Sequence, residues 1–371
     1  MISSERELQA LVERALAADC VGLDTEFFWE RTYYPRLGLI QIALSDQQCY
    51  LVDPIAIGDL SALGTLLSDS GVVKILHDAP QDLMILSRAT GAQPQNIFDT
   101  QLAAGFSGLP STISLGDLIS ILLEINLPKT QTRTDWLKRP LDPKQVDYAL
   151  DDVRYLRALR VLLLTRIVAP EVRDWLGEEM ERSSKHEYFS GVDDDQRYTK
   201  IKGGGSLDRR SLAVLEQLAA WREQEARLRD RPRGHIITDK ALLVLAKEKP
   251  STDSEIHTCN VLADRKIKQY GKQIADCIST GLAREERDLP QIKRPIRLNA
   301  TEKKLHERFI TSLHAKCERF GIDHHLVCTS AQSKQLVKAL ASGRTEIPGK
   351  LRRGWRRTFL EEFTSTHRRP Q

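Results

Sequence analysis

Short aliphatic runs are confined to the first part of the chain, and most of the remainder has helical spacing, so one sheet near the N-terminus must be completed by helices. VGLD at 21–24, LGLIQIAL at 37–44, CYLVD at 49–53 and VVKIL at 72–76 are β-branched or aliphatic, bounded by Gly, Pro and polar residues, and read as strands. Helical periods flank them: Leu8, Leu11, Val12 and Leu16 on one face at the N-terminus, then Leu60–Leu67, Gln81–Arg88, Gln101–Phe106 and Asp117–Glu124. The expectation is an α/β domain over residues 1–170. An acidic run at Asp193–Asp195 and the triplet Gly203, Gly204, Gly205 mark a linker over 171–205. Beyond it, Pro- and charge-rich breaks separate helical stretches into two small all-α domains, 206–288 and 289–371.

Composition narrows the class. With 41% hydrophobic and 29% charged residues the chain is not a disordered segment, and its longest apolar runs, such as that ending at Leu164, fall far short of a membrane span. The N-terminus has no basic start followed by an apolar block, so a cytoplasmic protein is expected. Six cysteines without CxxC or Cys/His pairing argue against a zinc site or a disulfide framework. Net charge is uneven. Residues 1–200 hold 20 Lys and Arg against 30 Asp and Glu, whereas 201–371 hold 35 against 21, and 291–371 alone hold 18 against 7. One part therefore attracts a polyanion while the other needs cations to approach it.

Asp24-Thr25-Glu26-Phe27 closes the first strand, and alternation points Asp24 and Glu26 to one side, where they can share a cation. In KILHDAPQDL, at 74–83, Asp78 suits a helix cap, while Asp82, within the first turn or so, has no such explanation. Asp99 reads as the cap of the following helix. A further helix opens at Asp142-Pro143, with Tyr148 and Asp152 at i and i+4 on one face. Asp151 has Arg154 three residues on and can form a solvated ion pair, but Asp152 has only Tyr155 and Leu156 at those offsets. Its charge must be met from elsewhere. Phe27, Phe28, Trp29, Tyr33 and Tyr34 could stack bases. Arg133, Lys138 and Arg139 could contact phosphates, as could Arg352, Arg353 and Arg356 in the basic tail.

In order and in content these elements resemble the ribonuclease D family, in the tyrosine subclass of the DEDD superfamily of 3′→5′ exonucleases. The resemblance runs through DTEF, HDAPQDL, FDTQLAA and TDWLKRPLDPKQVDYALDDVRYL, then through YTKIKGGGSLDRRSLAVLEQLAAWREQEARLRDRP, similar to the start of an HRDC domain, and GWRRTFL, similar to a second HRDC-like repeat. It implies a ribonuclease H-like mixed sheet with flanking helices. It further implies two divalent ions, Mg²⁺ or Mn²⁺, held by Asp24, Glu26, Asp82 and Asp152, with Asp24 bridging both and Asp82 acting chiefly through water. A phenol with pKa near 10 is a poor base, so Tyr148 would orient the attacking water. The expected substrate is RNA with a free 3′-hydroxyl, tRNA precursors above all, and no obligate protein partner is indicated. A DNA 3′→5′ exonuclease and an inactive RNA-binding protein are the competing readings. Removing the basic tail is expected to weaken RNA binding and spare catalysis on short oligonucleotides, since the acids and Tyr148 all precede residue 153.

Overall fold

The computed structural model describes residues 1–128, 134–189, 194–291, 296–343 and 347–367. Five strands, β1 (Cys20–Phe28), β2 (Arg36–Ala43), β3 (Cys49–Val52), β4 (Val73–Leu76) and β5 (Ile97–Asp99), form one mixed sheet in the order β3-β2-β1-β4-β5. β2 and β3 pair antiparallel through Ile40 and Val52. β1, β4 and β5 run parallel, with Gly22 beside Ile75 and Leu76 beside Asp99. β5 has only three residues, too few for alternation to be visible in sequence.

The sheet is buried on both faces because successive residues of each strand point opposite ways. Val21, Leu23, Ile40, Ile42 and Leu76 meet α1 (Glu5–Leu16), α2 (Ser61–Ser68) and α3 (Pro80–Thr90). A Ser4/Glu7 capping box starts α1, which buries Leu8, Leu11, Val12 and Ala15. Cys20, Ala43 and Ile75 face a second cluster, built with α4 (Thr100–Phe106), α5 (Leu115–Leu123), α6 (Pro143–Arg154), α7 (Leu156–Arg166) and α8 (Pro170–Ser183); the short α9 (His186–Phe189) follows.

The structure draws the domain lines differently from the sequence reading. Residues 171–183, expected in a linker, belong to α8, whose Val172 and Leu176 are core residues. The described tail helices, here numbered by their place in the chain as α15 (Ala300–Phe320), α16 (Ser330–Ala341) and α17 (Gly354–Thr366), share one compact unit and one core with the sheet domain, through Phe309, Leu313, Leu336, Trp355, Phe359 and Leu360. Each such side chain contributes roughly 1.5–3 kcal/mol by burial, so cutting the tail away would cost as much as the whole stability of a typical domain. Catalysis is not expected to survive that truncation. Gly354, at φ +56°, starts α17 after a 3₁₀ turn over Gly349–Arg352.

The second unit comprises Trp29–Arg36 and the described part of 191–295. Its helices are α10 (Arg209–Leu228), α11 (Arg233–Ile236), α12 (Asp239–Glu248), α13 (Asp253–Thr258) and α14 (Asp264–Ala283). Gly281 lets α14 approach α10 closely, since a Cβ there would lie 2.6 Å from the Val214 Cα. Among the described residues no helix is long and apolar enough to cross a membrane.

Candidate active site

β1 delivers Asp24 and Glu26 to one side of its end, and Thr25, pointing the other way, donates its hydroxyl to Asp82 in the first turn of α3. Asp78 does not cap α3 as expected; it adopts a left-handed backbone, φ +56°, before Ala79 and Pro80. The buried carboxylate of Asp99 organises that turn. It caps α4 by accepting from the Gln101 and Leu102 amides, and it also accepts from the amides of Asp78 (3.1 Å) and Ala79 (3.0 Å). The cap is legible in the sequence; the second duty is not, because it joins residues 21 and 20 positions apart.

α6 supplies the rest. Asp142 caps it in a box with Gln145, with Pro143 in the first turn. Gly22 is the close approach that brings this helix down on β1: a Cβ there would stand 3.0 Å from the Val153 carbonyl oxygen and 3.3 Å from Leu156. A glycine inside a strand often marks such a contact, so this one was findable. As a result Asp152 meets β1, and ligand atoms of Asp24, Glu26 and Asp152 lie within 4.8 Å of one another. The Tyr148 hydroxyl donates to Asp152. Asp151 pairs instead with Arg154 at 3.0 Å, as expected.

Electrostatics make this cluster unstable as a set of bare anions. Burial, then repulsion from Asp82, Asp152 and Glu26, holds the Asp24 carboxyl well above its ordinary range. Burial, Asp152 and Asp82 push Glu26 up to about 9. Burial first of all lifts Asp82 to about 7, against the lowering effect of Thr25, and lifts Asp152 to about 7, against that of Tyr148. Among the described residues none of these four acids forms an ion pair with Lys, Arg or His. Oxygen donors, mutual repulsion and the lack of a protein counter-charge together fit a hard divalent cation. The acids, Tyr148, Phe27 and His77 line a cavity of about 280 Å³. A neighbouring groove of about 950 Å³, lined by Ser114, Ser120, Asn126, Lys144 and Asp147, shares Leu115, Tyr148 and Asp152 with it. Both His77 ring nitrogens are engaged, with Thr100 and the Ile113 carbonyl, and burial pulls its pKa down.

The residues expected at RNA divide. Tyr33 lies in the second unit, its hydroxyl on Glu223 and its ring against the Arg227 and Arg233 guanidiniums. Arg139 does not reach out for phosphate: its guanidinium clasps Asp53 at 2.6 and 2.7 Å and donates to the carbonyls of Gly38, Trp136 and Lys138. Nor does Arg356, which is buried against Glu179 and the Leu326 carbonyl. All five Arg139 donors are spent internally, and Arg356, at 3% exposure, is turned to Glu179 and away from solvent, so neither is placed for a substrate phosphate. Lys138, Arg352 and Arg353 are exposed, and Arg133 lies outside the described residues.

Residues 1–167 match the model of a 3′-5′ exonuclease domain, and 211–278 that of an HRDC domain. The chain is 48% identical to ribonuclease D of Desulfotalea psychrophila over 99% of this chain and 98% of that protein, and 34% identical to ribonuclease D of Pseudomonas paraeruginosa over 91% and 89%. Among solved structures it superposes on Escherichia coli RNase D, an exoribonuclease involved in structured RNA processing, with a TM-score of 0.83 and 29% identity, covering 99% of this chain and 97% of that one.

Proposed function

The chain belongs to the ribonuclease D family and is a 3′→5′ exoribonuclease, and on that footing we propose that Asp24, Glu26, Asp82 and Asp152 hold two divalent cations, Mg²⁺ or Mn²⁺, with Tyr148 placing the attacking water. Bound there, such a pair supplies a water of lowered pKa and positive charge for the departing 3′-oxygen. The observation that carries the reading is the convergence of Asp24, Glu26 and Asp152 within 4.8 Å, with Tyr148 on the same face of α6.

Burial and the surrounding carboxylates push the Tyr148 phenol above its ordinary pKa, so it stays protonated at neutral pH. Its O–H donates to Asp152, and its oxygen is left to accept from a water. Tyr148 therefore positions the nucleophile and does not deprotonate it. The groove beside Tyr148 and Asp152 receives the last nucleotides of the strand, Phe27 lies next to the scissile end, and Lys138, Arg352 and Arg353 contact phosphates. The substrates are tRNA precursors ending in a free 3′-hydroxyl. All six cysteines are free, which supports the expected cytoplasmic setting.

The test is degradation of one sequence presented as 3′-hydroxyl RNA, 3′-phosphate RNA and DNA, with and without EDTA. Nucleoside 5′-monophosphates from 3′-hydroxyl RNA alone, abolished by EDTA, are expected. Release of 3′-phosphates, internal cuts or EDTA-resistant activity would reject the chemistry, and equal rates on DNA would reject the substrate.

A further inference from the structure

Gln41 lies within β2 with no exposed surface, and neither its amide oxygen nor its amide nitrogen has a hydrogen-bond partner among the described residues. Its neighbours Leu39, Ile40 and Ile42 are aliphatic and fully buried. A buried amide without a partner destabilises a fold in a way that a leucine or methionine of similar size would not, so packing alone does not account for a glutamine here.

Its position suggests one. β1 and β2 are neighbours joined by a connection too short for a parallel crossover, so they are antiparallel. Gly22 faces Ala43, since a Cβ on Gly22 would stand 3.4 Å from that of Ala43, on the face where α6 and α7 lie against β1. Two residues further along each strand, Gln41 comes beside Asp24 on that same face. Leu39 continues the row and packs with Trp136, Ala149 and Tyr148, the last two from α6.

The acids above are unequally provided for. Asp82 accepts from Thr25 and Asp152 from Tyr148, but no side-chain donor to Asp24 is found among the described residues. A donor without an acceptor thus lies beside an acceptor without a side-chain donor. We infer that Gln41 is a positioning residue of the acidic site, its amide donating through one buried water to the Asp24 carboxylate in the cation-loaded protein. Such outer contacts fix the orientation of a ligating carboxylate, and losing one typically weakens metal affinity or activity 10- to 100-fold.

The inference rests on the cation-binding reading of Asp24, and the experiment separates the two. In Gln41→Met and Gln41→Leu the full-length protein is measured for Tm in EDTA, Mn²⁺ affinity by calorimetry, and kcat and KM on RNA. Expected are a metal-free Tm equal to or above that of the parent, Mn²⁺ affinity lower by about tenfold or more, a reduced kcat and an RNA KM that stays put. Unchanged Mn²⁺ affinity and kcat would overturn the inference. So would a lower metal-free Tm with unchanged affinity, which would make Gln41 a structural residue. Asp24→Asn is the control: if it too retained parental Mn²⁺ affinity, the assignment of the site itself would fail, whereas loss there with no change in both Gln41 variants would remove only the role of Gln41.

Discussion

Tyr148 and Asp152 stand one turn apart on α6, the hydroxyl of the first donating to the carboxylate of the second, and both line the cavity that holds Asp24 and Glu26. Tyr148→Phe should therefore leave cation binding in place and slow the chemical step by about 10² or more, the effect of a misplaced nucleophile. The Tyr148 hydrogen bond lowers the Asp152 pKa, so its loss should also move the acid limb of the pH–rate profile upward. Single-turnover rates across pH check both, and an unchanged rate would remove Tyr148 from the mechanism.

Asp24→Ala, Glu26→Ala, Asp82→Ala and Asp152→Ala should each nearly abolish hydrolysis while the chain stays folded, because removing one of several repelling carboxylates relieves the metal-free site. Asp151→Ala should be nearly silent, since its only described ion pair is the half-exposed one with Arg154. The comparison of Asp151 with Asp152 under identical assay conditions is the sharpest check on the register of α6.

pH should act on the metal-free protein in a defined direction. Glu26 at about 9, and Asp82 and Asp152 at about 7, lie above their unfolded values near 4. From about pH 4 to 9 the folded state thus binds more protons than the unfolded one, and stability falls as pH rises through that window. In EDTA, Tm should drop between about pH 5 and 9, less steeply in Glu26→Gln, and Mg²⁺ should restore most at the alkaline end. A pH-independent Tm in EDTA would contradict the repulsive cluster.

The arginines of the tail should separate into two kinds. Arg356 is buried on Glu179, which also accepts from Trp355 and Arg182. Arg356→Met strands part of that buried charge and should cost about 3 kcal/mol, seen in denaturant unfolding. Arg352→Ala and Arg353→Ala, both exposed, should leave stability alone and each flatten the log-log salt dependence of RNA binding by about 0.7. If all three acted alike, the division would be wrong.

Local spacing controls the part of the site that was legible in the sequence. The strand end placed Asp24 and Glu26 together, the i,i+4 pair placed Tyr148 over Asp152, and the Asp142 and Asp99 caps were visible as caps. The features that could not be read depend on distant partners. Arg139 finds Asp53 at a separation of 86 residues, and Arg356 finds Glu179 at 177. In a linear reading each looks like any surface arginine. The fusion of the tail with the sheet domain was hidden likewise, because an amphipathic helix records that one face is buried and not which core covers it.

Crystals of the protein with a 3′-phosphorothioate RNA, soaked in Mn²⁺ and measured for anomalous scattering, would test the central assignment most directly. Mn²⁺ peaks are predicted among Asp24, Glu26, Asp82 and Asp152, with the RNA 3′ end beside Tyr148 in the adjoining groove. Mn²⁺ bound elsewhere while these four carboxylates hold none, or an RNA 3′ end lodged away from Tyr148, would contradict it.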